Sequence, residues 1–166
     1  GMSYAKVDLY ENRLCILTKP KGASKNAIDK ITKFWQMIGS VTIQMDAKEH
    51  DEVLSYLSHT PHILSSILVN WAYHNPKVKF YTDKSPIPLT GGGFRDMSRI
   101  AGSNPDMWNA IINTNKESIH GSLLEFRKEI DQLILSLETS KDVDNEFWKN
   151  YFLESKKSRN QLLKLN

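Results

Sequence analysis

Six apolar residues, Ile119, Leu123, Phe126, Ile130, Leu133 and Leu137, recur at steps of four, three, four, three and four. Only an α-helix puts residues so spaced on one side. The heptad-like stripe reads as a seam along which helices pack. Shorter helical patterns fill most of the remaining chain. Ser24 can cap a helix to Ile38 that carries Ile28, Ile31, Phe34, Trp35 and Ile38, with Gly39 placed to end it. Asp46 and Glu49 have the spacing of a capping box, before Val53, Leu54, Leu57, Leu64, Ile67, Leu68 and Trp71. Pro61 falls inside that run and is expected to kink or split it. The stretch Ile63 to Tyr73 has no charge, as expected of a helix buried nearly all round at the centre of a bundle or dimer. Gly91-Gly92-Gly93 opens another helix, and Asn104-Pro105-Asp106 the next. A last helix is expected from Asn145 to Leu163 with Phe147, Tyr151 and Phe152, after a break at Thr139 to Asp144.

Two segments read as strands: Arg13 to Thr18, and the alternating Val41 to Met45. The first has no evident crossover partner, and looks like the last strand of a sheet whose other strands are missing. Residues Asn75 to Thr90 carry three prolines, Pro76, Pro86 and Pro88, and read as a loop. The expected class is mainly α, a helical bundle with one or two short N-terminal strands.

Charge and cysteine usage exclude several function classes. The net charge is +3, from 22 Lys+Arg against 19 Asp+Glu. The densest basic run, Lys19, Lys21, Lys25, Lys30 and Lys33, is interleaved with a helical apolar pattern, so it reads as a solvated helix face and no nucleic-acid partner is expected. Cys15 is the single cysteine, which rules out an internal disulfide and suits a reducing, cytoplasmic setting. No apolar run reaches the ~20 residues that span a bilayer, so no membrane partner is expected. Neither is a signal peptide, and Gly1-Met2 reads as a protease scar before a start codon.

Two clusters could carry chemistry. In Ser58-His59-Thr60-Pro61-His62, two histidines three residues apart share a helix face beside the proline. They could pair with backbone freed by the kink, line a polar substrate site, or ligate a metal, although no standard metal spacing such as His-Glu-x-x-His is present. In Gly91-Gly92-Gly93-Phe94-Arg95-Asp96-Met97-Ser98-Arg99-Ile100, glycines precede a helix, and Arg95 and Arg99 project from one face. Backbone N–H groups at a helix start and a guanidinium suit a small anion, carboxylate above all. The cluster could equally be a hinge with exposed arginines paired to Asp96 and other acids. It is neither a phosphate-binding loop with Gly-Lys-Ser/Thr nor a dinucleotide fingerprint.

Met45-Asp46-Ala47-Lys48-Glu49-His50-Asp51 followed by Ser58-His59-Thr60-Pro61-His62 resembles a signature of prephenate and arogenate dehydrogenases. Gly92-Gly93-Phe94-Arg95-Asp96-Met97-Ser98-Arg99-Ile100-Ala101 followed by Asn104-Pro105-Asp106-Met107-Trp108 resembles their second signature, in order and spacing. Asp8 to Thr18 resembles the last strand of their nucleotide domain. Ser98 stands where the family often has threonine, and Thr60 replaces a common leucine. The resemblance implies a helical dimerisation domain like the C-terminal part of 6-phosphogluconate dehydrogenase. Residues 1–20 would be a remnant of the nucleotide-binding domain and residues 21–166 the dimerisation and substrate-binding domain.

The family's enzymes convert prephenate to 4-hydroxyphenylpyruvate by oxidative decarboxylation, in tyrosine biosynthesis. Their Rossmann domain holds NAD or NADP and the catalytic histidine. By the resemblance, Arg99 would grip a prephenate carboxylate, His62 and His59 would line the pocket, and Asp96 and Trp108 would shape the cleft. With no dinucleotide loop or catalytic histidine motif, this chain would bind no cofactor, contribute no catalytic residue and be inactive alone. It would act as a homodimer that meets a separate or missing Rossmann domain. The other functions in view are a non-catalytic, aromatic-acid-binding or regulatory dimer and a purely structural dimerisation module, which would have no need of Arg99, His59, His62 and Asp96.

Overall fold

A computed structural model of the chain describes residues 5–139 and 145–165. Gly1-Met2, and residues 140–144 of the expected break, lie outside the described residues. The chain forms two compact units, residues 1–123 and residues 124–166.

The first unit begins with β1 (Leu14–Thr18), α1 (Lys25–Met37) and β2 (Val41–Met45). The strands pair in parallel, from Leu14 opposite Val41 to Thr18 opposite Met45. A parallel pair needs a crossover, and α1 supplies it. The first strand therefore has a crossover partner within the chain, which corrects the reading of it as a strand without one. The misreading came from treating α1 and β2 separately, although strand, helix and strand follow one another directly. Ser24 caps α1 by accepting from the Ala27 amide at 3.2 Å. Gly39 ends it at φ +90°, where a Cβ would also lie 3.1 Å from the Glu11 Cα, so glycine is demanded twice.

α2 (Ala47–Leu54) starts with the expected capping box: Asp46 accepts from the Lys48 amide at 2.8 Å, and Glu49 accepts from the Asp46 amide at 3.1 Å. Residues Ser55–His59 then form a π-helical turn before α3 (Thr60–Tyr73). Proline has no amide to donate, and its ring crowds the carbonyl four residues back. The wider turn accommodates Pro61, with the Thr60 amide donating to Ser55 O. Leu54, Ser55, His59 and Thr60 all keep right-handed helical dihedrals, so the helix changes register without breaking.

Where a proline-rich loop was expected, Pro76–Lys84 is a helix, α4. Asn75 caps it, accepting from the amides of Lys77 and Val78 at 3.0 and 3.1 Å, and Pro76 takes the first helical position, where a missing amide costs nothing. Asn104-Pro105 opens α6 (Pro105–Thr114) in the same way, with bonds of 2.9 and 3.1 Å to the Asp106 and Met107 amides. Between them lie α5 (Gly92–Ser98) and a 3-10 turn, Arg99–Gly102. α7 (Lys116–Thr139) carries the heptad-like stripe, and α8 is Asn145–Leu162.

Small polar side chains hold the interior of the first unit. Ser65 donates to the Met97 carbonyl at 2.7 Å, tying α3 to α5, and Thr60 and Ser122 join α3 to α7 with hydroxyls 2.6 Å apart. Ile119 is the one large apolar side chain fully buried among the described residues. The uncharged segment of α3 is not buried all round within one chain: Trp71 is 71% exposed and Ile67 52%. On the stripe, Phe126, Ile130 and Leu137 are exposed as well. Apolar residues at core-like spacing that one chain leaves open mark an interaction surface.

Candidate functional site

The π-helical turn sets the positions of the two histidines. His59 is its last residue and is buried, whereas His62, one turn into α3, is half-buried. His62 Nδ1 lies 2.9 Å from the Ser58 carbonyl oxygen. That oxygen can only accept, so Nδ1 carries a proton and donates. In the neutral ring Nε2 is then left with a lone pair. His59 Nδ1 lies 3.1 Å from the side-chain amide nitrogen of Asn115, the residue that ends α6.

Burial pushes the His59 imidazole below its ordinary value, because enclosure strips water from the charged form. The carboxylate of Asp51 opposes this, while His50 and His62 add to it. Asp51 in turn lies 3.0 Å from His50 Nδ1.

Trp108, from α6, closes over both histidines. His62 stacks on it with ring centroids 4.1 Å apart, and His59 meets it edge-on at 6.0 Å. The Trp108 Nε1 is buried without a hydrogen-bond partner among the described residues. Beside this cluster is a cavity of about 460 Å³ between α3, the 3-10 turn and α6, within the roughly 300–1,000 Å³ of small-molecule sites. His62, Ile63, Ile67, Ile100, Trp108 and Ile112 are among its walls, and Ser66, Asn70, Ser103 and Asn109 add polar groups. An apolar chamber with a few polar groups suits an aromatic ring bearing polar substituents.

Of the five residues picked from sequence, the structure brings His59, His62 and Trp108 together. Only His62 and Trp108 of the five line this cavity: His59, expected to line it, is buried behind them, and Arg99 and Asp96 are exposed. Arg99 opens the 3-10 turn whose Ile100, Ala101 and Ser103 neighbourhood forms one wall. Among the described residues neither Arg95 nor Arg99 makes an ion pair, so the alternative of arginines paired to Asp96 and other acids is not what forms. α5 has only seven residues, too few for a strong helix dipole, so the guanidinium carries more of the anion reading than the helix start. Ser66, Asn70 and Asn109 were missed. The signal was available for two of them: His62, Ser66 and Asn70 step by four along α3, which puts them on one face. Among the described residues no group of three or more His, Cys, Asp or Glu could hold a metal ion.

The family model described as prephenate dehydrogenase, dimerization domain, matches residues 46–152. The chain belongs to this family. Both signatures singled out in the sequence fall almost wholly inside that span. Prephenate dehydrogenase of Bacillus subtilis (strain 168) is 34% identical over 98% of this chain and 42% of that protein. Cyclohexadienyl dehydrogenase of Zymomonas mobilis is 30% identical over 92% of this chain and 50% of that protein. The chain thus spans about half, or less, of the curated relatives it matches. A crystal structure of prephenate dehydrogenase from A. aeolicus, in complex with hydroxyphenyl propionate and NAD+, superposes with a TM-score of 0.79 at 31% identity, covering 98% of this chain and 54% of that one. Synechocystis arogenate dehydrogenase shares the fold, with a TM-score of 0.75 at 20% identity over 96% of this chain and 54% of that one. The helical class expected from sequence is the fold of the family, and no described helix is long and apolar enough to cross a membrane.

Proposed function

We propose that the chain is the dimerisation and substrate-binding part of a prephenate dehydrogenase, working in the cytoplasm in tyrosine biosynthesis. The observation that carries this is the cavity beside His62 and Trp108, an apolar chamber built by one chain of a family whose A. aeolicus member binds an aromatic acid. In this reading the cyclohexadiene ring of prephenate packs against Trp108 and the isoleucines. His62 offers Nε2 to its polar substituent, and His59 backs the Trp108 indole edge-on. Asp96 shapes the rim, and Arg99 takes a carboxylate in a charge-assisted pair.

Among the described residues no segment has the form of a dinucleotide-binding loop. The turn after β1 carries one glycine, Gly22, and the glycine run at 91–93 follows no strand. In this reading NAD or NADP and the proton-accepting histidine belong to a nucleotide-binding domain, with residues 1–20 as its end and residues 21–166 as the dimerisation and substrate-binding domain, although β1 pairs with β2 across that bound. This chain's part is to hold and orient the acid, since reaction requires the reacting groups to be placed within fractions of an ångström. A second copy covers the exposed faces of α3 and α7.

Calorimetric titration of the 166-residue chain with prephenate and with tyrosine tests the reading. Saturable binding of prephenate is expected. Absence of any heat up to millimolar prephenate would overturn the assignment of substrate binding to this chain.

A further inference from the structure

Asn115 reaches two groups with one amide nitrogen. Its Nδ2 lies 2.7 Å from the main-chain oxygen of Asp51 and 3.1 Å from His59 Nδ1, and both side chains are buried, 7% and 9% exposed. A carbonyl oxygen has no proton to give. One amide proton is therefore committed to Asp51, and the opposite orientation of the amide would set two acceptor oxygens against each other at that short distance. The second amide proton then points to His59 Nδ1, which must accept it with a lone pair. An imidazole so engaged carries its single proton on Nε2.

We propose that Asn115 is a positioning residue that holds His59 as the neutral tautomer protonated on Nε2. The chain of cause runs from a backbone carbonyl on α2, through the amide, to the ring. His62 is held the other way, because its Nδ1 donates to Ser58 O. Two rings against one indole thus have opposite polarity at Nε2, a donor on His59 and an acceptor on His62. Of the two, His62 is a wall of the cavity and His59 is not; the tautomer of His59 does not rest on the reading of the cavity as an aromatic-acid site. The charged and titratable groups acting on His59 are Asp51 and His50 of α2 and His62 of α3. Trp108 and Asn115, its contacts from α6, carry no charge.

The test is two-bond proton–nitrogen correlation on the full chain labelled with nitrogen-15 histidine, at neutral pH without ligand. Wild-type His59 is expected to give the pattern of the Nε2–H tautomer and His62 that of the Nδ1–H tautomer. Asn115→Asp replaces the donor by an isosteric acceptor, and the His59 proton is expected to move to Nδ1, or the ring to become charged. In Asn115→Ala the two tautomers should mix and the titration midpoint of His59 should rise, with His62 unchanged. Wild-type His59 found protonated on Nδ1, or fully charged, would overturn the proposal even if neither variant folds. So would variants that lose thermal stability while His59 keeps its Nε2–H pattern, the signature of a merely structural amide. A failure of prephenate to bind, with these spectra as expected, would count against the functional reading and leave this one standing.

Discussion

The imidazole of His62 and the indole of Trp108 lie face to face, centroids 4.1 Å apart and planes inclined by 30°. α3 and α6 are joined there by an aromatic pair, worth about 0.5–1.5 kcal/mol beyond the area it buries. Trp108→Leu keeps apolar bulk and removes the stack. It is expected to lower chain stability by about that amount and to weaken aromatic-acid binding by roughly tenfold, the equivalent of 1.4 kcal/mol. Unchanged binding in titration calorimetry would show that the stack has no part in the site.

Arg99 is exposed and unpaired among the described residues, so its replacement should not disturb packing. A hydrogen bond to a charged group contributes about 1.5–3 kcal/mol. Arg99→Ala should therefore keep the circular dichroism spectrum and melting temperature of the wild type, while prephenate binding falls by at least about tenfold. Equal binding by the variant would remove Arg99 from the site.

His59 contributes a pH dependence of definite sign. Burial lowers its folded-state pKa below the ordinary histidine value of 6.5, so between the two values the unfolded chain binds more protons. Stability then rises with pH. The contribution is fully present above 6.5, and is lost as the pH falls from 6.5 through the lower folded value. The difference in melting temperature between wild type and His59→Gln should shrink as the pH is lowered from about 7.5 to about 5. A difference that grows on acidification would mean that Asp51, not burial, dominates the ring.

The Thr60 and Ser122 hydroxyls are not equivalent. Ser122 Oγ also donates to the Ile119 carbonyl at 3.0 Å, so in their 2.6 Å contact Thr60 is the donor. Thr60→Val leaves Ser122 with its carbonyl partner. Ser122→Ala strands the buried Thr60 hydroxyl, at a cost of about 1–3 kcal/mol. Urea unfolding should find Ser122→Ala the more destabilised of the two.

A homodimer is expected, with Ile63 to Trp71 and the stripe from Ile119 to Leu137 in its interface. Trp71 at 71% exposure and Leu137 at 58% are hard to reconcile with an isolated chain in water. Light scattering should give twice the 19.1 kDa chain mass at micromolar concentration. A monodisperse monomer would refute the assignment of these faces.

Local chemistry made most elements legible in the sequence. Asp46 with Glu49, Ser24 with Gly39, and Asn104 with Pro105 mark helix ends through bonds within a few residues, so spacing alone locates them. Asn75-Pro76 carried the same signal as Asn104-Pro105 and was obscured by the two later prolines. The stripe from Ile119 identified a long helix, since periodicity depends only on helical geometry. The motifs named the family, and they hold three residues, His59, His62 and Trp108, that meet in the fold.

Other features were decided by groups far apart in the chain. Nothing near Asn115 in sequence points to His59, because their meeting depends on the end of α6 arriving beside the π-helical turn. The parallel pairing of β1 with β2 rests on backbone hydrogen bonds that have no side-chain signature. Burial was the least legible. An uncharged α3 shows that something apolar covers it, but hydrophobicity has no direction and cannot say whether the cover is the same chain. The tertiary structure decided that: within the chain it leaves Ile67 and Trp71 open, because no other described element of the chain packs over that face.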